Sequence, residues 1–114
     1  NQDTLVIAQI ERKIAVENLE EILSVNGVDV ALIGPEDLSL SYGMPGQTTH
    51  PDVVGAIQRV IDVCSSLGVA PGIHMGNLDR LKEWREKGMR MIMYNSDLGF
   101  LFEGAESGVQ TLKG

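Results

Sequence analysis

Two acidic residues, Glu11 and Asp37, follow apolar segments that have the composition of buried strands. Glu11 comes directly after residues 5–10, and Asp37 follows residues 28–33 beyond a break at Gly34-Pro35. If the two strands are parallel neighbours, both carboxylates lie at one rim of the sheet, where the carboxyl ends of the strands meet. Carboxylate oxygens are preferred ligands of hard divalent cations. The pattern therefore predicts a metal site at Glu11 and Asp37, with helix capping or simple solvation as the alternative.

Other polar side chains near predicted strand ends are candidates for binding or catalysis. Gln9 lies two residues before Glu11, so both side chains point to the same side of a strand. His74 ends a third apolar segment and is a candidate acid or base. The alternative for His74 is a partly buried ring with a local hydrogen bond. His50 is predicted to begin a helix, and Cys64 falls on the apolar stripe of that helix and is predicted to be packing.

The elements that would position these residues alternate between strand and helix patterns. The predicted strands are residues 5–10, 28–33, 69–75 and 89–94. The predicted helices are residues 12–25, 36–42, 51–67, 78–87 and 98–112. This βαβαβαβα order calls for parallel strands joined by helical crossovers, and so for the α/β fold class.

The length of the chain corresponds to half of a TIM barrel. A (β/α)₈ barrel of about 250 residues uses about 31 residues for each βα unit, so 114 residues hold just under four units. We expect residues 1–114 to form a half-barrel that is part of a single domain. A free-standing, doubly wound four-stranded domain is the alternative. Because a half-barrel has unpaired strand edges, we expect upstream sequence, a second chain or self-association to complete it.

Composition narrows the classes of partner. The net charge is −7 and no basic cluster interrupts the acidic residues, which excludes nucleic acid and anionic membranes as expected partners. No apolar run approaches the roughly 18 residues that a membrane span requires. The single cysteine cannot form an internal disulfide, and a reducing, cytoplasmic setting is therefore favoured.

Several motifs, taken in order, resemble the HpcH/HpaI aldolase family of metal-dependent pyruvate aldolases. They are Gln9-Ile10-Glu11, Gly34-Pro35-Glu36-Asp37-Leu38-Ser39, His50-Pro51-Asp52-Val53, Ala70-Pro71-Gly72-Ile73 and Asp97. The resemblance covers nearly the whole chain and aligns it with the carboxyl-terminal half of the family's barrel, strands five to eight. The separation of 26 residues between Glu11 and Asp37 is similar to that of the family's metal-ligand pair.

The resemblance implies specific roles. Glu11 and Asp37 would bind a divalent ion (Mg²⁺, Mn²⁺ or Co²⁺), and Gln9 would hydrogen-bond the oxo-acid end of the substrate. The backbone N–H groups of Glu36 and Asp37 would bind its carboxylate. The implied reaction cleaves a 4-hydroxy-2-oxoacid to pyruvate and an aldehyde. The family's base histidine and charge-stabilising arginine come from the first half of the barrel, so this chain is expected to supply the metal and pyruvate cradle only.

Two other functions are compatible with the same residues. One is a citryl- or malyl-CoA-type lyase, whose barrels also place a glutamate and an aspartate on Mg²⁺. The other is a non-catalytic half-barrel that only assembles or binds an oxoacid. In each case the expected partners are a small 2-oxoacid and either further copies of the chain or a complementing amino-terminal half-barrel.

Overall fold

The computed structural model of the protein describes residues 3–114. Asn1 and Gln2, predicted to lead into the first strand, lie outside the described residues. The strands are β1 (Ile7–Ile10), β2 (Val30–Ile33), β3 (Ala70–Met75) and β4 (Met91–Tyr94). The helices are α1 (Lys13–Glu17), α2 (Leu19–Leu23), α3 (Pro35–Ser41), α4 (Pro51–Leu67), α5 (Leu78–Glu86) and α6 (Asp97–Lys113).

The four strands form one parallel sheet in the order β1-β2-β3-β4, which is also their order in the chain. Each of the first three strands is followed by at least one helix that returns the chain to the start of the next strand, and α6 follows β4. A doubly wound sheet reverses its strand order at a switch point, and a barrel does not. Because the order here never reverses, the doubly wound alternative is wrong.

The packed core lies on the face of the sheet that the helices cover. Ile10, Ile33 and Ile73 are aligned across β1, β2 and β3, and each is at most 1% exposed. They belong to the same buried cluster as the apolar stripe of α4, which includes Ile57 and Cys64. Side chains alternate along a strand, so the residues on either side of this row point to the opposite face of the sheet.

The ends of several elements differ from the sequence-based predictions because side chains compete for backbone groups. β1 begins at Ile7 since the Asp29 carboxylate accepts the Val6 N–H at 2.9 Å. The helix predicted over residues 12–25 is broken at Asn18, whose side-chain amide donates to the Ile14 carbonyl at 3.0 Å. Strong apolar patterning predicts where an element lies, but these local bonds decide where it stops.

Helix α6 differs most from the rest of the structure. It runs for 17 residues without a single buried side chain. Its first turns are attached to the sheet by Tyr94, whose ring meets the Phe100 ring edge-on at 5.3 Å between centroids. Further along, Leu101 is 72% exposed and Leu112 is 89% exposed.

Between residues 3 and 114, no helix combines the length and the apolar character needed to cross a lipid bilayer.

Candidate active site at the carboxyl ends of the strands

Two of the predicted site residues, Glu11 and His74, lie one position beyond the buried isoleucine row. Glu11, Gly34 and His74 each follow directly after an isoleucine of that row, and the Gly34 N–H still donates to the Ile10 carbonyl at 3.4 Å. Successive strand residues alternate in direction, so these three residues face away from the helix-covered core. Glu11 and His74 are therefore held at the same level on the open face of the sheet.

The absence of a side chain at Gly34 allows Glu11 to lie over the end of β2. A Cβ built on Gly34 would be 3.4 Å from Glu11 Oε1 and 3.5 Å from Glu11 Cγ. The same Oε1 accepts a hydrogen bond from the Gln9 side-chain amide. Gln9 and Glu11 thus form one unit, as their two-residue spacing predicts, and that unit points toward the start of α3.

The turn from β2 into α3 brings two more acidic residues to the same place. Pro35 occupies the first helical position, where its lack of an N–H costs no helical hydrogen bond. Glu36 and Asp37 are exposed in the first turn, where backbone N–H groups have no partner within the helix. Ser39 anchors this turn from the buried side, since its hydroxyl donates to the Glu36 carbonyl at 2.6 Å.

These residues line one cleft of about 630 Å³ at the carboxyl ends of the strands. The cleft contains all five of the site residues predicted from sequence, namely Gln9, Glu11, Glu36, Asp37 and His74. Its other polar or charged lining residues are Thr48, Thr49, Asn77, Arg80, Asn95 and Ser96. Asn77 fits the cap pattern of a helix start, whereas no sequence pattern distinguishes Arg80 from an ordinary surface residue of an amphipathic helix.

His74 is exposed and not partly buried, although the local hydrogen bond expected of it is present. Its Nε2 lies 2.6 Å from the Asn95 carbonyl oxygen. A carbonyl oxygen only accepts, so Nε2 carries the proton that it donates. In the neutral ring Nδ1 is then the acceptor, and it is the nitrogen available to a ligand.

Asn95 forms a tight turn that connects β4 to α6 behind His74. It is the one non-glycine residue with positive φ (63°) among residues 3–114. Its side chain lies so close to Gly99 that a Cβ there would be 1.9 Å from Asn95 Oδ1. Asn95 Nδ2 is buried without a hydrogen-bond partner in the described part of the chain. The carbonyl of Asn95 thus orients the ring of His74.

Other candidate residues have structural roles. His50 caps α4, since its Nδ1 accepts the Asp52 N–H at 3.1 Å. Asp97 bonds the N–H of the residue that follows it and does not line the cleft, and the side chain that caps α6 is that of Ser96 rather than Asp97. Cys64 is fully buried, and this burial raises the pKa of its thiol to about 11. Cys64 is therefore packing, as its place on the apolar stripe of α4 predicts.

The donor set of the cleft fits a hard divalent cation held by few protein ligands. In the chain from residue 3 onward, no three His, Cys, Asp or Glu side chains are arranged to hold a metal ion. Glu11 and Asp37 nevertheless provide two carboxylates in one cleft. Mg²⁺ is commonly held by one or two carboxylates, with water and substrate oxygens completing its shell.

Comparisons with known proteins identify related sequences and folds. The family model described as HpcH/HpaI aldolase/citrate lyase matches residues 1–103. A 4-hydroxy-2-oxo-heptane-1,7-dioate aldolase from Klebsiella pneumoniae is 40% identical over 94% of this chain. The match covers 40% of that aldolase, so the chain spans about two fifths of its curated relative's length.

Solved structures show how the chain relates to a complete fold. An HpcH/HpaI aldolase/citrate lyase family protein from Burkholderia cenocepacia superposes with a TM-score of 0.94 at 34% identity, over 99% of this chain and 44% of that one. The citrate synthase SbnG superposes with a TM-score of 0.85 at 27% identity, over 96% of this chain and 44% of that one. The predicted partial TIM barrel of parallel βα units is thus confirmed. From its sequence, its strand order and these relatives, the chain belongs to the HpcH/HpaI aldolase/citrate lyase family.

Proposed function

We propose that this chain forms the metal- and pyruvate-binding half of an aldolase that cleaves a 4-hydroxy-2-oxoacid to pyruvate and an aldehyde. The observation that carries the proposal is the single cleft shared by Gln9, Glu11, Glu36 and Asp37 at the strand ends. Family membership supports it, since HpcH/HpaI aldolases generally depend on a divalent metal ion. The Klebsiella pneumoniae relative is named as an aldolase of this substrate type.

In this proposal Glu11 and Asp37 are the protein's metal ligands. Gln9 uses one amide N–H to orient Glu11. A primary amide has a second N–H and a carbonyl oxygen, and these remain for the oxo-acid end of the substrate. The first-turn N–H groups of Glu36 and Asp37 bind the substrate carboxylate, helped by the positive end of the α3 dipole. The bound ion (Mg²⁺, Mn²⁺ or Co²⁺) supplies Lewis-acid polarisation of the keto group.

The reaction also needs a base for the 4-hydroxyl proton, because the C3–C4 bond breaks as the aldehyde carbonyl forms. By the family resemblance, this base is a histidine from the first half of the barrel, together with an arginine that stabilises charge. In this chain, the candidate base is His74, which lines the cleft. We therefore propose that full activity requires a complementing amino-terminal half-barrel, and that residues 1–114 are part of one aldolase-type domain.

Titration calorimetry with Mn²⁺ tests the ligand assignment. We expect Glu11→Gln and Asp37→Asn each to weaken Mn²⁺ binding about tenfold or more, because each removes one of two anionic ligands. Glu106→Gln on α6 is the matched control, since it removes one carboxylate outside the cleft. Unchanged affinity in both cleft variants would contradict the metal site.

Pyruvate release distinguishes the aldolase proposal from a non-catalytic half-barrel. We expect release from a 4-hydroxy-2-oxoacid by the chain mixed with an amino-terminal half from a relative, and little release without it. Activity of the chain alone would make His74 the base, and His74→Gln would then abolish it. A mixed assembly that binds oxoacid without turnover would favour the non-catalytic interpretation.

A citryl- or malyl-CoA-type lyase is a second candidate. It is favoured by the family description, which includes citrate lyases, and by the similarity to a citrate synthase structure. The higher identity to named heptanedioate aldolases supports the first candidate over it. Cleavage of a citryl- or malyl-CoA thioester, without cleavage of hydroxy-oxoacids, would reverse this order.

A further inference from the structure

The cleft has an acidic side and a side that carries a single positive charge. The acidic side is built by the ends of β1 and β2 and contains Glu11, Glu36 and Asp37. The opposite side follows β3 and includes His74 and Arg80. Arg80 is the only lysine or arginine that lines the described cleft, and the proposed mechanism gives it no role.

The guanidinium of Arg80 is largely shielded from solvent and only weakly neutralised. Its backbone N–H donates to the Asn77 cap at 3.0 Å, which fixes Arg80 in the first turn of α5. The side chain is only 20% exposed. Its ion-pair partner, Glu83, is 3.9 Å away and mostly exposed, so the attraction is screened by solvent. A guanidinium stays charged in proteins, and one in such a site favours an anionic ligand.

The position of Arg80 favours ligands that extend from the side of Glu11 and Asp37 to the opposite side of the cleft. Neighbouring strands are about 4.8 Å apart, and α5 follows β3, which lies one strand beyond β2 and two beyond β1. A ligand held at Glu11 and Asp37 must therefore cross the end of β3 before it meets the guanidinium. Pyruvate has a single carboxylate, whereas a linear oxo-diacid has a second carboxylate at its far end.

We infer that Arg80 binds the distal carboxylate of an oxo-diacid substrate and so selects dicarboxylic over monocarboxylic substrates. This inference rests on the proposed function, because it assumes that the oxo-acid end lies at Glu11 and Asp37. Arg80 is a specificity residue here, not a catalytic one. Its loss should weaken the binding of diacids and leave the binding of pyruvate unchanged.

Equilibrium binding to the purified chain with Mn²⁺ tests the inference without requiring turnover. The probes are 2-oxoheptanedioate, 2-oxoheptanoate of the same length with one carboxylate, and pyruvate. We expect the wild-type chain to bind the dioate about tenfold or more tightly than the monoacid. Arg80→Met should abolish that preference, and Arg80→Lys should keep part of it, because a lysine retains the charge but not the planar fork.

Lys82→Met is the matched control, since it removes a positive charge from an exposed position of the same helix. It should leave the dioate preference intact. Equal binding of dioate and monoacid by the wild-type chain, or a preference retained in Arg80→Met, would overturn this inference alone. If the wild-type chain binds neither pyruvate nor any longer oxoacid, the proposed function is overturned together with it.

Discussion

At the scale of single residues, the cleft depends on where a side chain is missing as much as on where one is present. Glu11 lies across the end of β2 because Gly34 leaves room for it. The glycine has ordinary extended backbone angles (φ −103°, ψ 96°), so its role is space and not conformational freedom. Substitutions at Gly34 should therefore act according to the size of the side chain they introduce.

We predict a graded loss of metal binding at Gly34. Gly34→Ala places a methyl group 3.4 Å from Glu11 Oε1, which is ordinary contact, and should change Mn²⁺ affinity little. Gly34→Ile extends into the Glu11 carboxylate and should weaken Mn²⁺ binding about tenfold or more by displacing a ligand. Calorimetry measures both variants. Equal affinity of Gly34→Ile and the wild-type chain would show that Glu11 is not confined by this contact.

Much of the site was predictable at this scale, and the reason is geometric. Glu11 and Asp37 follow strands and His74 lies near the end of one, and the carboxyl ends of parallel strands meet at one rim whatever else the fold contains. Arg80 and Asn95 belong to the same cleft, but no local pattern marks them. Their positions depend on how α5 and the β4–α6 turn pack, which is tertiary information.

At the scale of elements, apolar periodicity indicates the order of strands and helices, and polar side chains set their limits. The strand signals at β2 and β3 are strong because buried parallel strands are almost continuously apolar. The break between α1 and α2 was not predicted, because residues 12–25 keep a helical pattern throughout. Asn18 ends α1 by a side-chain bond that periodicity does not register.

Arg59 of α4 joins the two helices on either side of that break. Its Nε donates to the Val16 carbonyl at 3.2 Å, and its Nη2 donates to both carboxylate oxygens of Glu20, at 2.7 and 3.0 Å. The pKa of Glu20 is lowered, mainly by a hydrogen bond from the backbone and next by the Arg59 side chain. Glu20 therefore binds its proton more weakly in the folded chain than in the unfolded one.

The sign of the resulting pH dependence follows from that difference. Stabilisation by ionised Glu20 is present above its unfolded pKa of 4.5 and is lost as the pH falls through the lower folded pKa. We predict that Arg59→Met lowers the melting temperature near pH 7 and reduces this acid-induced loss. Thermal melts from pH 7 to pH 3 measure this loss of stability. Arg85→Met, at an exposed position of α5, is the control. An unchanged pH profile in Arg59→Met would contradict the prediction.

Two glycines of α6 should respond oppositely to replacement by alanine, because their surroundings differ. A Cβ at Gly99 would overlap Asn95 Oδ1 at 1.9 Å, whereas a Cβ at Gly104 meets nothing within 4 Å. We predict that Gly99→Ala destabilises the chain by about 1–3 kcal/mol through overpacking, and that it shifts the NMR signals of His74, whose ring is fixed by Asn95. Gly104→Ala should be neutral or stabilise by up to about 1 kcal/mol. Equal melting temperatures for the two variants would contradict this.

At the scale of the whole molecule, the sheet is covered on one face only. The outer edges of β1 and β4 have no strand partner among residues 3–114. Helix α6 exposes several large apolar side chains, including Leu101, Phe102 and Leu112. A contiguous apolar surface of this kind is typical of an interface. The chain spans 44% of the similar Burkholderia cenocepacia structure, which supports the proposal that other copies or a second half-barrel cover these surfaces.

We predict that the isolated chain associates in a concentration-dependent way through α6. Phe102→Glu should shift sedimentation profiles toward a single chain, because it places a charge on the apolar surface. Ser107→Glu adds the same charge at an exposed polar position of α6 and should have little effect. A monomeric wild-type chain at high concentration, or equal behaviour of the two variants, would contradict the prediction.

The buried isoleucine row has a consequence for how this protein can diversify. The side chains that keep the chain folded, such as Ile10, Ile33 and Ile73, belong to a different face of the sheet from Gln9, Glu11 and His74. Mutations can therefore alter which molecules the cleft accepts while the scaffold beneath it persists. Substitutions that change the chemistry of the cleft should therefore cost this fold little stability.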